Sequence, residues 1–306
     1  MPWFWQRWTR GRSRAGAALD EAEKAADTTS RTVGGRRFLR GVPYVLPKDM
    51  GEINRLDFQH YMMRYALRGN YAAPIGPEPH SILDVGCGTG RWAQEMAQHF
   101  PHTAVIGVDV APPAPYGERA APDFQPDNYT FVPGNVLERL PFDDGAFDFV
   151  HQRYMIGAIP IDAWPRAIVE LARVTRPGGW VEVVEADTSK GGGPALQQAD
   201  AWVAAVLARR NLDIHLARRL GPWLEQAGLR DVTVRQVDLP LGPYGGRVGS
   251  LVETDYFAAI DAMRAPVVAL GLASEDTYLA TMQAARAEVR RGRCMFPIYV
   301  VYGRRP

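Results

Sequence analysis

The densest chemistry in the chain is the run Ile82-Leu83-Asp84-Val85-Gly86-Cys87-Gly88-Thr89-Gly90, an apolar strand that closes on an acid and opens into G-x-G-x-G. Glycines without a Cβ let backbone approach a ligand closely. Between a strand and a helix, such a loop lies where an α/β sheet takes nucleotide-like ligands, outside its carboxyl edge. The spacing discriminates among those ligands. A dinucleotide fingerprint requires a third small residue at position 91, which is Arg91, and a phosphate loop requires Gly-Lys-Ser/Thr, which is absent. The loop is therefore wrong for a pyrophosphate. Nineteen residues after Gly90 stands Asp109, at the end of an apolar run. A carboxylate at such a strand tip can accept charge-assisted hydrogen bonds from a ligand beside the loop.

These residues need a framework, and the pattern around them supplies one. Ile53, Leu56, Tyr61, Tyr65 and Leu67 predict a helix that begins near Asp49 and stops at Gly69-Asn70. Strands are expected over 81–85, 104–110, 129–132, 147–151 and 180–186, with a helix carrying Trp92, Met96 and Phe100 ended by Pro101. Five prolines make 111–128 a loop. Asp162 is the expected cap of a helix over 163–175, and Pro177-Gly178-Gly179 the turn that follows. Further on, the glycines at 191–193 break the chain, helices are expected over 195–210 and 214–227, and a strand over 231–239. A capping box Ser250…Glu253 predicts a helix through 264, followed by a helix over 275–290 and a last strand over 295–302. Repeated βα units with short turns specify an α/β fold with a doubly wound sheet.

Of the 306 residues, 46% are hydrophobic and 23% charged, with a net charge of +1, enough for a real core and too balanced for a disordered chain or a generally basic nucleic-acid binder. No run approaches eighteen apolar residues, so no membrane span is expected. Two cysteines, Cys87 and Cys294, make no disulfide framework and point to a reducing, cytoplasmic setting. Residues 1–43 form a basic arm: eight arginines and two lysines stand against four acids before residue 49, and Trp3-Phe4-Trp5-Gln6-Arg7-Trp8 mixes aromatics with arginine. Its three-residue apolar run is too short for a secretory leader. A helix over 17–27 is expected, and the arm reads either as a mobile or partner-packed segment or as a lid, subunit-swap or membrane-surface contact, which leaves a homo-oligomer through it open.

The glycine loop resembles motif I of the class I S-adenosylmethionine-dependent methyltransferases, with Asp84, Gly86, Gly88 and Gly90 matching position by position. Val108-Asp109-Val110 resembles the family's ribose-binding strand tip. Gly134-Asn135-Val136 and Leu140-Pro141-Phe142 resemble its Gly-Asp-Ala…Leu-Pro-Phe, with an uncharged Asn135 where the family carries an acid. Phe147-Asp148-Phe149-Val150 and Arg173-Val174…Pro177-Gly178-Gly179 resemble the next strand and turn. Asn54-Arg55-Leu56-Asp57-Phe58-Gln59-His60 and His151-Gln152-Arg153-Tyr154 look like the LaeA-like branch and its bacterial natural-product relatives.

The resemblance implies a seven-stranded Rossmann-like core over 81–306, covered by helices from 44–80 and by insertions near 187–214 and 243–292. It implies S-adenosylmethionine as cofactor, S-adenosylhomocysteine as product, and a cofactor site of Asp84, Gly86, Cys87, Gly88, Gly90, Asp109, Val110, Asn135, Val136 and Gln152. The acceptor is expected to be a small, largely apolar natural product contacted by Tyr61, Tyr65, Arg153 and Trp202. His151 is the first candidate general base by register, then Glu185 and Tyr154, while Glu170 is read as structural. Carbon methylation of an isoprenoid is one option, with Mg²⁺ entering only alongside a diphosphate held by arginines such as Arg153, Arg247 and Arg264. Oxygen or nitrogen methylation is another, and a cofactor-binding regulator without turnover is the rival. Six dispersed histidines make no metal cluster.

Overall fold

The computed structural model describes residues 30–33, 36–39, 50–112 and 126–306. The helix expected over 17–27 and most of the loop expected over 111–128 lie outside them. Within the arm, β1 (Ser30–Val33) and β2 (Arg36–Leu39) pair antiparallel, two strands that the polar, Arg-rich pattern did not suggest.

The main sheet has seven strands: β3 (Ser81–Val85), β4 (Ala104–Asp109), β5 (Tyr129–Pro133), β6 (Phe147–Arg153), β7 (Thr175–Ala186), β8 (Arg230–Leu241) and β9 (Cys294–Arg304). Their order is β5-β4-β3-β6-β7-β9-β8, parallel through β7 and antiparallel where β9 pairs with β7 and β8. This is the Rossmann-like order that the motifs implied. The chain leaves β3 toward β4 and β5, then returns to the other side of β3 as β6. The crevice at that reversal is where ligands settle in such sheets, and the glycine loop stands in it.

The central strands are apolar along their length because both faces are covered; in β3 Ile82, Leu83, Asp84 and Val85 are all buried. On one face α2 (Arg91–His99) buries Trp92, Ala93, Met96 and Ala97. On the other, α3 (Trp164–Val174) buries Trp164, Ile168 and Leu171 beside the short α5 (Leu220–Gln226). A second core gathers α1 (Met50–Leu67), α4 (Pro194–Ala208), α6 (Gly246–Ala262), α7 (Arg264–Ala269) and α8 (Glu275–Arg291) over the carboxyl end of the sheet.

Several local expectations are corrected. Pro177-Gly178-Gly179 is not a turn before a strand but lies inside β7, as a bulge where the register jumps from Phe147↔Thr175 to Phe149↔Trp180. Gly178, at φ +79°, donates its N–H to the Arg305 carbonyl there. Asp162 does not cap α3; its carboxylate accepts from the Asn211 amide. The helix expected over 214–227 splits into a 3-10 turn, Leu216–Arg219, and α5. α6 starts at Gly246, so Ser250 lies within it and returns its hydroxyl to the Gly246 carbonyl. Among the described residues a side-chain cap is found on α8: Ser274, in extended backbone, accepts from the Thr277 N–H at 3.1 Å. Ser274→Ala is expected to cost about 1 kcal/mol in urea unfolding; an unchanged midpoint would show that the cap contributes nothing.

Candidate active site

Each part of the crevice is fixed by a neighbouring strand. The glycine loop is pinned to β4, because the Gly86 and Cys87 N–H groups both donate to the Val108 carbonyl, at 2.8 and 3.1 Å. Gly88 holds φ +55°, and a Cβ built there meets nothing nearer than Leu56 Cδ1 at 4.0 Å, so it would project into open space where a ligand would lie. Asp109 ends β4 with Oδ2 accepting from the Gly88 N–H at 3.0 Å. One acid thus sets the loop and faces the same crevice.

Around this loop lies a cavity of about 280 Å³. Asp84, Gly86, Cys87, Gly88, Asp109, Val110, Asn135 and Val136 line it, bringing together eight of the ten residues expected at the cofactor. The ninth, Gly90, lies at the start of α2 with φ +76°, where a Cβ would come within 2.6 Å of the Tyr129 hydroxyl oxygen. Its role is to let the chain turn. Gln152 is the correction: it is fully buried, does not line the cavity, and neither end of its amide has a partner. Strand alternation explains this, since His151 and Arg153 face the cavity and Gln152 between them faces away. Asn135 makes a local turn, its Oδ1 accepting from the Leu137 N–H at 3.0 Å. That oxygen keeps a second lone pair for a donor.

The expected catalytic residues part company. His151 lies opposite Asp84 in the β3–β6 register, with Nδ1 3.0 Å from Asp84 Oδ1 and its ring stacked 3.8 Å from Trp92. It is 1% exposed, and its Nε2 is buried without a partner. Its geometry orients Asp84, beneath the cradle. Glu185 does not line this cavity. It is fully buried and accepts from the Met155 and Ile156 N–H groups at 2.6 and 3.2 Å, anchoring the turn after β6, while burial pushes its carboxyl up to about 8. It is a loop anchor, not a base. Tyr154, at φ +57°, donates its hydroxyl to Met63 Sδ, and burial raises its phenol far above the usual range, so it stays protonated. Glu170 accepts from the Leu140 N–H and pairs with Arg173, the structural part expected of it.

Of the residues expected at the acceptor, Arg153 is on the cavity beside the glycine loop. It lines the cavity and reaches His60 Nδ1 at 3.2 Å. Tyr61 and Tyr65 are 44% and 49% exposed, stacked under Arg64 and Arg247 on the outside of α1. Trp202 is core, stacked on Tyr278. Arg264 pairs with Glu275 at the surface.

A second cavity, about 160 Å³, adjoins the first and shares Leu56, Gln59 and Tyr154 with it. Val203, Leu207, Ile214, Ile260, Met263 and Phe296 make it largely apolar. Its charged and amide lining was missed by the sequence reading: Arg55 and Gln59 from α1, Asp187, Asp200, and Asp255 from α6, where Tyr256 joins them. Arg55 clasps α1 to α6, giving two hydrogen bonds to Glu52 at 2.7 and 2.9 Å and one to Asp255 at 3.2 Å. The i,i+3,i+7 placement of Glu52, Arg55 and Gln59 was the available signal, but a polar helix stripe reads equally well as a solvated face. Among the described residues no group of three or more His, Cys, Asp or Glu is arranged to hold a metal, and no helix is long and apolar enough to cross a membrane.

Comparison with known proteins gives a consistent picture. The methyltransferase-domain family matches residues 58–234. The methyltransferase pytC of Aspergillus terreus is 27% identical over 293 residues, 89% of this chain and 87% of that protein. The methyltransferase str3 of Strobilurus tenacellus is 33% identical over 209 residues, 66% of this chain and 72% of that protein. The secondary metabolism regulator LAE1 of Cochliobolus heterostrophus is 30% identical over 223 residues, 66% and 67% of the two chains.

Proposed function

Because this chain belongs to the methyltransferase-domain family, we propose that it methylates a small, largely apolar natural product of secondary metabolism with S-adenosylmethionine as donor. The observation that carries the reading is the pair of joined cavities: a polar cradle beside the glycine loop, and an apolar chamber that meets it at Leu56, Gln59 and Tyr154. When bound, the donor supplies an electrophilic methyl carbon on a sulfonium.

The chain's part is alignment and desolvation. Asp109 accepts the ribose hydroxyls, and Asp84, oriented by His151, faces the ammonium. Val110, Val136 and Ile159 offer apolar walls to the base. α1 and the insertions at 187–214 and 243–292 serve as the lid. Tyr154 contributes a ring face where the cavities meet, and its protonated phenol, donating to Met63 Sδ, removes no proton. An isoprenoid chain suits the chamber, and its aromatic faces suit a carbocation. A diphosphate is poorly matched there: of the arginines expected to hold it, Arg247 and Arg264 lie outside both linings and Arg153 lines the donor cavity, not the chamber.

A cofactor-binding regulator is the second reading, favoured by the likeness to LAE1. Incubation with methyl-labelled S-adenosylmethionine and a small-molecule extract of the source organism separates the two. Label entering the organic-soluble fraction supports the enzyme; label absent from it, with the cofactor bound, supports the regulator.

A further inference from the structure

The chamber beside the donor cavity is not electrically neutral. Asp187, Asp200 and Asp255 line it against one cation, Arg55, which Glu52 already shares. Asp187 is matched from outside, by Arg218 at 2.5 Å and His215 at 2.8 Å. Asp255 has Arg55 and the Gln59 amide. Asp200 differs from both. Its Oδ1 accepts from the Tyr256 hydroxyl at 2.5 Å and its Oδ2 from the Ser189 hydroxyl at 2.6 Å and the Ser189 N–H at 3.2 Å. Three donors favour the ionised form, yet no arginine, lysine or histidine among the described residues pairs with it. Burial works against that charge and raises its carboxyl.

The ring faces around this carboxylate suit the same partner. Tyr154, Tyr256 and Phe296 line the chamber, and Tyr256 and Phe296 meet edge to face at 5.4 Å. A carboxylate without a counter-ion, framed by aromatic rings in an otherwise apolar space, attracts an ammonium and repels an anion. We propose that the methyl acceptor carries a basic nitrogen on a largely apolar body, and that Asp200, with the Tyr256 and Phe296 rings, holds its ammonium in this chamber. The inference rests on the methyl-transfer reading above and names the acceptor class within it. Asp200 is thereby a specificity-determining residue.

The test is calorimetric titration of protein saturated with S-adenosylhomocysteine, which carries no sulfonium charge. Phenethylamine is the probe, with phenethyl alcohol and phenylacetate as its neutral and anionic counterparts. Phenethylamine is expected to bind at least about tenfold more tightly than either. Asp200→Asn is expected to remove that preference while leaving S-adenosylhomocysteine affinity unchanged. Equal or tighter binding of the alcohol or the carboxylate, no binding of the amine, or a preference that survives in Asp200→Asn would overturn the inference. The order of the three probes on the unaltered protein decides even if the variant fails to fold. Failure to bind S-adenosylhomocysteine at all would overturn the methyl-transfer reading instead, so the two failures are distinct.

Discussion

Arg55→Met is expected to destabilise the fold by about 3–5 kcal/mol, the usual cost of removing one partner from a buried ion pair. The guanidinium and both its carboxylates are nearly inaccessible, with side-chain exposures of 7% for Arg55 and 3% each for Glu52 and Asp255. Burial already raises the Asp255 carboxyl, with Arg55 pulling it back down. Methionine fills much of the same space but takes from Asp255 the cation that pulls its carboxyl down. Burial then holds the Asp255 carboxyl further above its unfolded value, so its penalty is absent at low pH and grows as pH rises. Urea unfolding at pH 7 should show the full loss, and at pH 5 a smaller one. The double variant Arg55→Met, Asp255→Leu should recover part of it. A loss below about 1 kcal/mol at pH 7 would show that water reaches the clasp.

The second large effect is a pH dependence from Glu185. Its carboxyl rises from an ordinary 4.5 to about 8 because burial outweighs the two backbone N–H groups it accepts. A folded-state value above the unfolded one gives a contribution that is complete below about pH 4.5 and lost as pH climbs through about 8. At about 1.4 kcal/mol per unit the window spans at most about 4–5 kcal/mol. Unfolding midpoints should therefore decline between pH 5 and pH 8, and Glu185→Gln should flatten that decline. An identical slope in the variant would place the titration elsewhere.

What was legible in the chain was what is local. The run from Ile82 to Gly90 states its own strand, turn and ligand class, since left-handed glycines and a strand-end acid have few other uses. Asp109 followed from spacing, because β4 must end level with β3 for its acid to meet the loop. The strand order needed only the repeated βα units and the motif resemblance. Bounds failed where a bulge or a tertiary partner overrode a local signal: Pro177-Gly178-Gly179 was absorbed into β7, and Asp162 found Asn211 in place of a helix N-terminus.

The acceptor side was much less legible, for physical reasons that single residues show. At about 100° per residue Tyr61 and Tyr65 fall about 140° and 180° round the helix from Leu56, on its exposed side. Glu185 and His151 both end strands and both looked like bases. Glu185 is spent on two backbone N–H groups, whereas His151 gives Nδ1 to Asp84 and keeps its place in the cavity lining. Asp200 and Asp255 are 55 residues apart and meet only when α4 and α6 pack over the sheet, so no spacing rule connects them. Gln152, in contrast, could have been excluded by period-two alternation once His151 was placed on the cavity face.

Methyl transfer by this chain requires the crevice around the glycine loop, at the carboxyl ends of β3, β4 and β6, to bind S-adenosylmethionine through that loop and Asp109. The most direct test is calorimetric titration with S-adenosylmethionine, and with NADH as the dinucleotide control, on the unaltered protein and on Asp109→Ala. Binding of S-adenosylmethionine but not NADH is expected, weakened about tenfold or more in the variant as two charge-assisted bonds worth about 1.5–3 kcal/mol are lost. Absence of S-adenosylmethionine binding, or equal affinity in Asp109→Ala, would contradict it.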